Sequence, residues 1–176
     1  MRTVTYGAAC TLDGFIAGAE GQIDWIHFSS DVHQIMADYW KTIDTILMGR
    51  KTWDHAAAQG GGEGGGQEKI KTYVFSRTVR ESPGSGVQLV ASDPGDFVRE
   101  LKQKKGKGIC VMGGGELARS LFQAGVIDEV RLNIHPVILG AGVPLFPEIG
   151  RQVKLELLET RKLEGGCVLA HYRICR

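Results

Sequence analysis

Three short groups of glycine, hydroxyl-bearing or cationic residues follow apolar runs in this chain. The first, Gly113-Gly114-Gly115, follows the run 109–111, and a helical pattern starts directly after it at Glu116 and Leu117. Glycine lets a ligand approach the backbone closely, and a helix start directs unpaired N–H groups and a positive dipole end toward an anion. By itself this stretch is as typical of a plain tight turn as of a nucleotide pyrophosphate site.

The other two groups carry cations. Gly49-Arg50-Lys51-Thr52 ends a second apolar run, and Ser76-Arg77 ends a third. The planar guanidinium of arginine can donate two parallel hydrogen bonds to a phosphate, and the hydroxyls add further donors. In open α/β sheets ligands lie outside the carboxyl ends of the strands, so one extended anion such as a dinucleotide explains all three groups together. Each group taken alone is more readily a solvated basic turn.

The elements that must position these groups alternate between strand and helix. The predicted strands are 4–11, 45–48, 72–76, 87–90, 109–112, 130–136, 155–163 and 167–174. The predicted helices begin near Ser29 or Ser30, Lys51, Asp93 and Glu116. The last two strands form a hairpin around Gly165-Gly166. This order predicts one α/β domain over residues 1–176, with a mostly parallel sheet, helices on both faces and an antiparallel C-terminal edge.

Composition narrows the possible partners. The chain has 176 residues and a formal net charge of +1, which argues against a partner such as bulk nucleic acid or an anionic membrane. No apolar run reaches membrane-spanning length. The four cysteines show no metal-binding spacing, so we expect no metal site but buried free thiols in a reducing, cytoplasmic compartment. The glycine-rich stretch 60–66 predicts a flexible surface loop.

Five stretches in chain order carry a family resemblance. They are Thr11-Leu12-Asp13-Gly14, Met48-Gly49-Arg50-Lys51-Thr52-Trp53, Val74-Phe75-Ser76-Arg77, Val111-Met112-Gly113-Gly114-Gly115-Glu116-Leu117, and the segment 124–140. Together they resemble the dihydrofolate reductase-like superfamily and, within it, the reductase domain of riboflavin biosynthesis. The resemblance implies a three-layer α/β/α fold and a homodimer. It also implies an NADPH-dependent reductase that transfers hydride to an imine or carbonyl of a heterocyclic substrate.

The resemblance also assigns roles to the three groups, by match of motif. The 2′-phosphate of the adenosine would be held by the cationic groups, the pyrophosphate by the glycine turn, and the nicotinamide would face the backbone around Ala8 and Ala9. The implied cofactor-binding residues are Ala9, Gly49, Arg50, Lys51, Thr52, Ser76, Arg77, Gly113, Gly114, Gly115, Glu116 and Leu117. The residue types agree with this, because two arginines and a lysine suit a phosphate better than a bare ribose, whose usual partner is an acid.

Hydride transfer to a carbonyl or imine also requires a proton, so a carboxylate or a relayed water is expected nearby. The preferred catalytic candidates are Asp13, in the turn after the first strand, and Asp31, in the first turn of the next helix. Asp24 and Glu116 compete with them. Asp13 could instead be a turn residue bonded to its own backbone, and Asp31 an acid that complements a helix dipole.

Two alternatives to the leading function remain open. The first is dihydrofolate reduction, but Trp25 to Ser30 reads Trp-Ile-His-Phe-Ser-Ser where dihydrofolate reductases carry a proline-rich helix entry, so folate is doubtful as the substrate. The second is a nucleotide-binding protein that has kept the cofactor site and lost catalysis. Binding of NADPH without turnover of any substrate would favour this second alternative.

Overall fold

One eight-stranded sheet dominates the computed structural model, which describes residues 1–58, 70–78 and 86–176. The predicted loop 60–66 lies outside these described residues. The strands are β1 (Val4–Thr11), β2 (Phe15–Ala17), β3 (Ile43–Gly49), β4 (Lys71–Phe75), β5 (Val87–Val90), β6 (Gly108–Val111), β7 (Glu129–His135), β8 (Val143–Pro144), β9 (Leu155–Lys162) and β10 (Val168–Ile174). The helices are α1 (Ser30–Thr42), α2 (Arg50–Ala58), α3 (Pro94–Gln103) and α4 (Gly115–Gln123).

The strand order in the main sheet is β5-β4-β3-β6-β1-β7-β10-β9. The strands from β5 to β7 pair in parallel, whereas β10 runs antiparallel to both β7 and β9. The predicted fold class is therefore confirmed, including the C-terminal hairpin. The pattern did not predict β2 and β8, which pair only with each other, because three and two residues are too few to show a period.

Helices cover both faces of this sheet. On one face α3 and α4 bury Val98, Leu121 and Phe122 against β1 and β6. On the other face Trp53 of α2 packs with apolar residues of β3 and β4, and Val32 of α1 packs beside β10. Each such side chain contributes about 1.5–3 kcal/mol when it is fully buried. This burial holds the carboxyl ends of the strands and the starts of the helices in fixed positions.

Two helix starts matter for the site. α2 begins at Arg50 and α4 at Gly115, each one residue earlier than predicted, so each directly follows the glycine turn that ends the preceding strand. Three cysteines are buried free thiols as predicted, and Cys175 is a free thiol on the surface. Within the described ranges, no helix has the length and apolarity needed to cross a membrane.

Candidate functional site

The turns after β3 and β6 contact each other at the carboxyl edge of the sheet. The Gly49 N–H donates to the Gly113 carbonyl at 3.3 Å, and the Met112 N–H donates to the Leu47 carbonyl at 3.0 Å. A Cβ on Gly114 would lie 3.3 Å from the Gly49 Cα, and the φ of Gly114 is +90°. Glycine is therefore favoured at position 114 on two independent grounds, the close contact and the positive φ.

Gly113 is buried at this contact, whereas Gly114 and Gly115 are partly exposed. Gly113 has a φ of +106°, and no described atom lies within 4 Å of the position that a Cβ would take there. The first N–H groups of a helix have no intrahelical partner. Because Gly114 is the N-cap of α4, no capping side chain accepts from them there. The Leu117 side chain is buried in the core, so this residue can offer only its N–H, while Glu116 is exposed. Such a turn can bind an anion through its backbone.

Arg50 stands at the start of α2 beside this turn. Its Nε donates to the Asp54 carboxylate at 2.6 Å, one helical turn later. Its Nη1 is buried and has no hydrogen-bond partner among the described residues. Lys51 is exposed, and the Thr52 hydroxyl would lie 3.3 Å from a Cβ on Gly114. Asp54 thus fixes a guanidinium that keeps a donor for another ligand.

The end of β4 adds the third group. Gly49 pairs with Phe75 in the parallel register, so Ser76 and Arg77 emerge beside Arg50 at the same edge. The Ser76 N–H donates to the Val90 carbonyl at 3.1 Å, and the Arg77 side chain is exposed. Adjacent strands lie about 4.8 Å apart, so the ends of β4, β3, β6 and β1 extend over about 14 Å. Only an extended ligand could contact all four ends.

A gap separates β1 from β6 at this edge. The two strands pair only from Val4 to Tyr6, whereas β1 continues along β7 as far as Thr11. The chain leaving β6 bonds to β3 instead, as the Met112 N–H shows. The backbone around Ala9 is therefore paired on one side only within the described part of the sheet.

Asp13 connects two loops at the same edge. Its carboxylate accepts hydrogen bonds from the Thr11 hydroxyl at 2.6 Å, the Leu139 N–H at 3.1 Å and the Gly140 N–H at 2.8 Å. The Thr11 hydrogen bond in the first place, and the two N–H groups after it, lower the pKa of Asp13. The carboxyl group is therefore ionised at neutral pH, and it ties the β1–β2 turn to the loop after β7.

Asp31 has a similar environment at the start of α1. Its carboxylate accepts from the Ser29 hydroxyl, from the Val32 N–H at 2.8 Å and from the Glu164 N–H at 2.8 Å. The Ser29 hydrogen bond is the main cause of a lowered pKa at Asp31. This carboxylate joins α1 to the short 3-10 turn between β9 and β10. Asp24, the competing loop carboxylate, is exposed.

Three further polar groups near the end of β7 were not predicted as site residues. Trp25 Nε1, Asn133 Oδ1 and His135 Nε2 are buried and lack hydrogen-bond partners within the described residues. The Trp25 and His135 rings meet edge to face with centroids 5.3 Å apart. A sequence pattern could have found two of them, because polar residues occupy every second position of β7 from Glu129 to His135.

The sequence is similar to a known protein family and to a protein of Bacillus subtilis. The sequence model of the RibD C-terminal domain matches residues 2–169. YyaP of Bacillus subtilis strain 168, described as uncharacterized, is 36% identical over 98% of this chain and 95% of that protein.

Two solved structures share the fold. The first is a diaminohydroxyphosphoribosylaminopyrimidine deaminase/5-amino-6-(5-phosphoribosylamino)uracil reductase of Thermotoga maritima, at a TM-score of 0.75 and 17% identity over 99% of this chain and 57% of that one. The second is the dihydrofolate reductase of Enterococcus faecalis complexed with NADP(H) and RAB-propyl, at a TM-score of 0.73 and 20% identity over 99% of this chain and 97% of that one. At these identities the likeness shows the fold alone.

Proposed function

Because the chain belongs to the RibD C-terminal domain family, we propose that it is an NADPH-dependent reductase that transfers hydride to an imine or carbonyl of a heterocyclic substrate. One observation carries this proposal: the turns at Gly49 and Gly114 contact each other beside the Arg50 guanidinium, whose Nη1 has no hydrogen-bond partner among the described residues. A phosphate would accept a charge-assisted hydrogen bond from that donor, which is stronger than a hydrogen bond to a neutral acceptor.

The residues present fit NADPH, which would supply the hydride when bound. The glycine turn at Gly113 and the uncapped start of α4 would hold the pyrophosphate. The 2′-phosphate would lie among the cations and hydroxyls of Arg50, Lys51, Ser76 and Arg77, with Thr52 behind them. The gap beside Ala9 would admit the nicotinamide to the sheet.

The proton needs a separate source. Asp13, in the turn after β1, and Asp31, at the start of α1, remain the candidate carboxylates, and both are held ionised at neutral pH by their hydrogen bonds. We therefore propose that either carboxylate would act by orienting a water molecule that delivers the proton, rather than as a carboxylic acid itself. The substrate class resembles 5-amino-6-(5-phosphoribosylamino)uracil, on which the Thermotoga maritima reductase acts according to its description.

We also propose a homodimer in the cytoplasm. β9 is an edge strand whose side chains are nearly all exposed, including Leu155, Leu157 and Leu158. An exposed edge strand with apolar residues is able to pair with a strand of another chain, and a second copy would cover these residues. Light scattering coupled to size-exclusion chromatography should give about twice the monomer mass of 19.1 kDa, and a monomer at that step would contradict the proposal.

The first test of the function is a titration with NADPH and NADH, followed by intrinsic tryptophan fluorescence. We expect micromolar NADPH binding, much weaker NADH binding, and loss of this preference in Arg50→Ala. A charge-assisted hydrogen bond contributes about 1.5–3 kcal/mol, so the NADPH affinity should fall about 10- to 100-fold, while the NADH affinity stays unchanged because NADH lacks the 2′-phosphate.

Arg99→Ala is a matched control, because Arg99 also forms an ion pair within its own helix, with Asp96, but lies on α3. This variant should bind NADPH like the unmodified chain. Equal losses of NADPH and NADH in Arg50→Ala would contradict the 2′-phosphate assignment. Binding of neither dinucleotide by the unmodified chain would contradict the reductase proposal. NADPH binding without turnover of any heterocycle would favour a non-catalytic nucleotide-binding protein.

A further inference from the structure

Buried polar atoms are almost always hydrogen-bonded, so an unpartnered one needs an explanation. Trp25 Nε1, Asn133 Oδ1 and His135 Nε2 all lack partners within the described residues. Asn133 and His135 lie two positions apart on β7, and the Trp25 ring contacts the His135 ring. The three atoms therefore lie close together near the end of β7, and one ligand could form hydrogen bonds with all of them.

The register places this cluster beside the gap in the sheet. Asn133 lies directly opposite Ala9 of β1, and His135 lies opposite Thr11. Residues opposite each other in register share a face of the sheet, so Asn133 lies beside the small Ala9 side chain on that face. On the same face Arg131 packs against Tyr39 of α1, with the guanidinium carbon 5.1 Å from the ring centroid. The cluster thus lies between α1 and the sheet.

The hydrogen-bonding character of the three atoms can be assigned. The His135 Nδ1 lies 3.2 Å from the backbone carbonyl oxygen of Asn133. Because that oxygen can only accept, Nδ1 carries the hydrogen. In the neutral ring Nε2 is therefore an acceptor. The Asn133 Oδ1 is also an acceptor, whereas the indole N–H of Trp25 can only donate. The cluster presents one donor and two acceptors.

We propose that Trp25, Asn133 and His135 select the substrate by binding the edge of a planar ring that carries both a carbonyl and N–H groups. The ring carbonyl would accept from Trp25, and two N–H groups, at least one of them on the ring itself, would donate to Asn133 and His135. This proposal rests on the proposed function only in taking the ligand to be the substrate. Trp25 lies in the segment 18–29, which contains no helix or strand.

The test measures binding of two pyrimidines by calorimetry. 6-Aminouracil offers the carbonyl and the N–H groups, and 1,3-dimethyl-6-aminouracil has the same ring with both ring N–H groups methylated. We expect the unmodified chain to bind 6-aminouracil at least about tenfold more tightly than its dimethyl analogue, because a buried acceptor left unpaired is costly. Trp25→Phe and Asn133→Leu should each weaken 6-aminouracil binding by about tenfold.

Two controls separate recognition from folding. Trp40→Phe removes an indole N–H from α1, outside the cluster, and should leave 6-aminouracil binding unchanged. NADPH binding should be unchanged and the thermal midpoint nearly so in Trp25→Phe and Asn133→Leu, because Trp25 Nε1 and Asn133 Oδ1 have no hydrogen-bond partner among the described residues. A markedly lowered midpoint in both variants would point to a structural role and overturn the proposal.

The remaining outcomes distinguish this inference from the proposed function. Equal binding of the two pyrimidines, binding of neither, or no effect of the Trp25 and Asn133 variants would overturn the recognition role, even if NADPH binds as expected. Conversely, 6-aminouracil binding that is sensitive to both variants would support the recognition role, even if NADPH does not bind and the reductase proposal fails.

Discussion

Cations lie at both ends of the parallel strands in the main sheet, which we call the amino edge and the carboxyl edge. Their hydrogen bonding differs between the two. At the amino edge the cations are paired: Arg2 bonds to Asp44, and Lys102 bonds to Asp128 at 2.6 Å. At the carboxyl edge Arg50 keeps a buried Nη1 without a partner among the described residues. Positive charge alone therefore does not mark a binding site, and the unsatisfied hydrogen-bonding capacity beside a glycine turn is the better criterion.

Cavity size gives no better guide. A concavity of about 520 Å³ lies at the amino edge and is lined by Arg151, Lys154 and Arg176, among others. Arg151 donates to the Phe122 carbonyl at 2.8 Å and so closes the end of α4, and Arg176 pairs with Asp128. Arg151 and Arg176 therefore stabilise the fold. The carboxyl edge, in contrast, has glycine turns and a helix start whose N–H groups have no capping side chain.

The largest effect should come from filling the glycine contact at the carboxyl edge. Gly114→Ala would place a Cβ 3.3 Å from the Gly49 Cα at a φ of +90°. We expect a loss of about 1–3 kcal/mol in the free energy of unfolding and a fall in NADPH affinity of at least about tenfold, since the turn must move. Urea unfolding and the fluorescence titration would measure the two effects.

A matched control separates the contact from the backbone strain. Gly150 also has a positive φ, +74°, but no described atom lies within 4 Å of its Cβ position. Gly150→Ala should therefore lose only the smaller conformational part of the stability and none of the NADPH affinity. If both alanine variants lost NADPH equally, the contact between the two turns could not be what shapes the site.

The next effect should appear at the amino edge, in stability but not in binding. Lys102→Met keeps the aliphatic stem but leaves Asp128, whose side chain is 24% exposed, with Arg176 as its one cationic partner among the described residues. We expect a loss of about 2 kcal/mol, below the 3–5 kcal/mol typical of fully buried pairs. The folded variant should bind NADPH normally. Lys105→Met, at an exposed neighbouring position, should change stability by less than about 0.5 kcal/mol.

This comparison would fail if Lys102→Met weakened NADPH binding as strongly as Arg50→Ala does. The amino edge would then contribute to the cofactor site, and the division between the two edges would not hold. Unfolding must be measured first, so that the affinity is expressed per folded molecule.

The sequence predicted the local parts of the site better than their assembly. The turns at Gly49 and Gly113 and the helices after them follow from residue types close together in the chain. Their contact depends on β3 and β6 being neighbours in the sheet, although β4, β5 and α3 lie between them in sequence. No local pattern encodes that adjacency. The residues of each turn were therefore predictable, but the close contact that favours glycine at position 114 was not.

The carboxylates show the same limit more sharply. The position of Asp13 in a turn was evident, but two of its donors, Leu139 and Gly140, lie 126 and 127 residues away. Asp31 likewise bonds to Glu164, 133 residues away. These distant N–H groups help to hold the two carboxylates ionised. The local sequence alone therefore could not decide whether Asp13 and Asp31 are proton donors or structural residues that join two segments.

The smallest effect should come from Asp13, the carboxylate at the carboxyl edge that is satisfied by neutral donors rather than by a cation. Its pKa is lowered in the folded chain from an ordinary value of 3.8, chiefly by the Thr11 hydroxyl. A carboxyl group of this kind stabilises the fold above its unfolded pKa, and the contribution is lost as the pH falls through the lower, folded pKa. Asp13→Asn should therefore be less stable than the unmodified chain at neutral pH, and the difference should narrow below about pH 4.

Urea unfolding at a series of pH values would measure this narrowing, with Thr11→Val as the matched variant. Thr11→Val removes the main cause of the lowered pKa and leaves the carboxylate in place, so the pH-dependent part of the stability should shrink without disappearing. It also removes the hydroxyl that accepts from the Phe15 N–H at 3.0 Å, which adds a loss that does not depend on pH. A stability difference between Asp13→Asn and the unmodified chain that stayed constant through the acid range would show that the ionised carboxylate is not what ties the two loops together, and Asp13 would return to consideration as a proton donor.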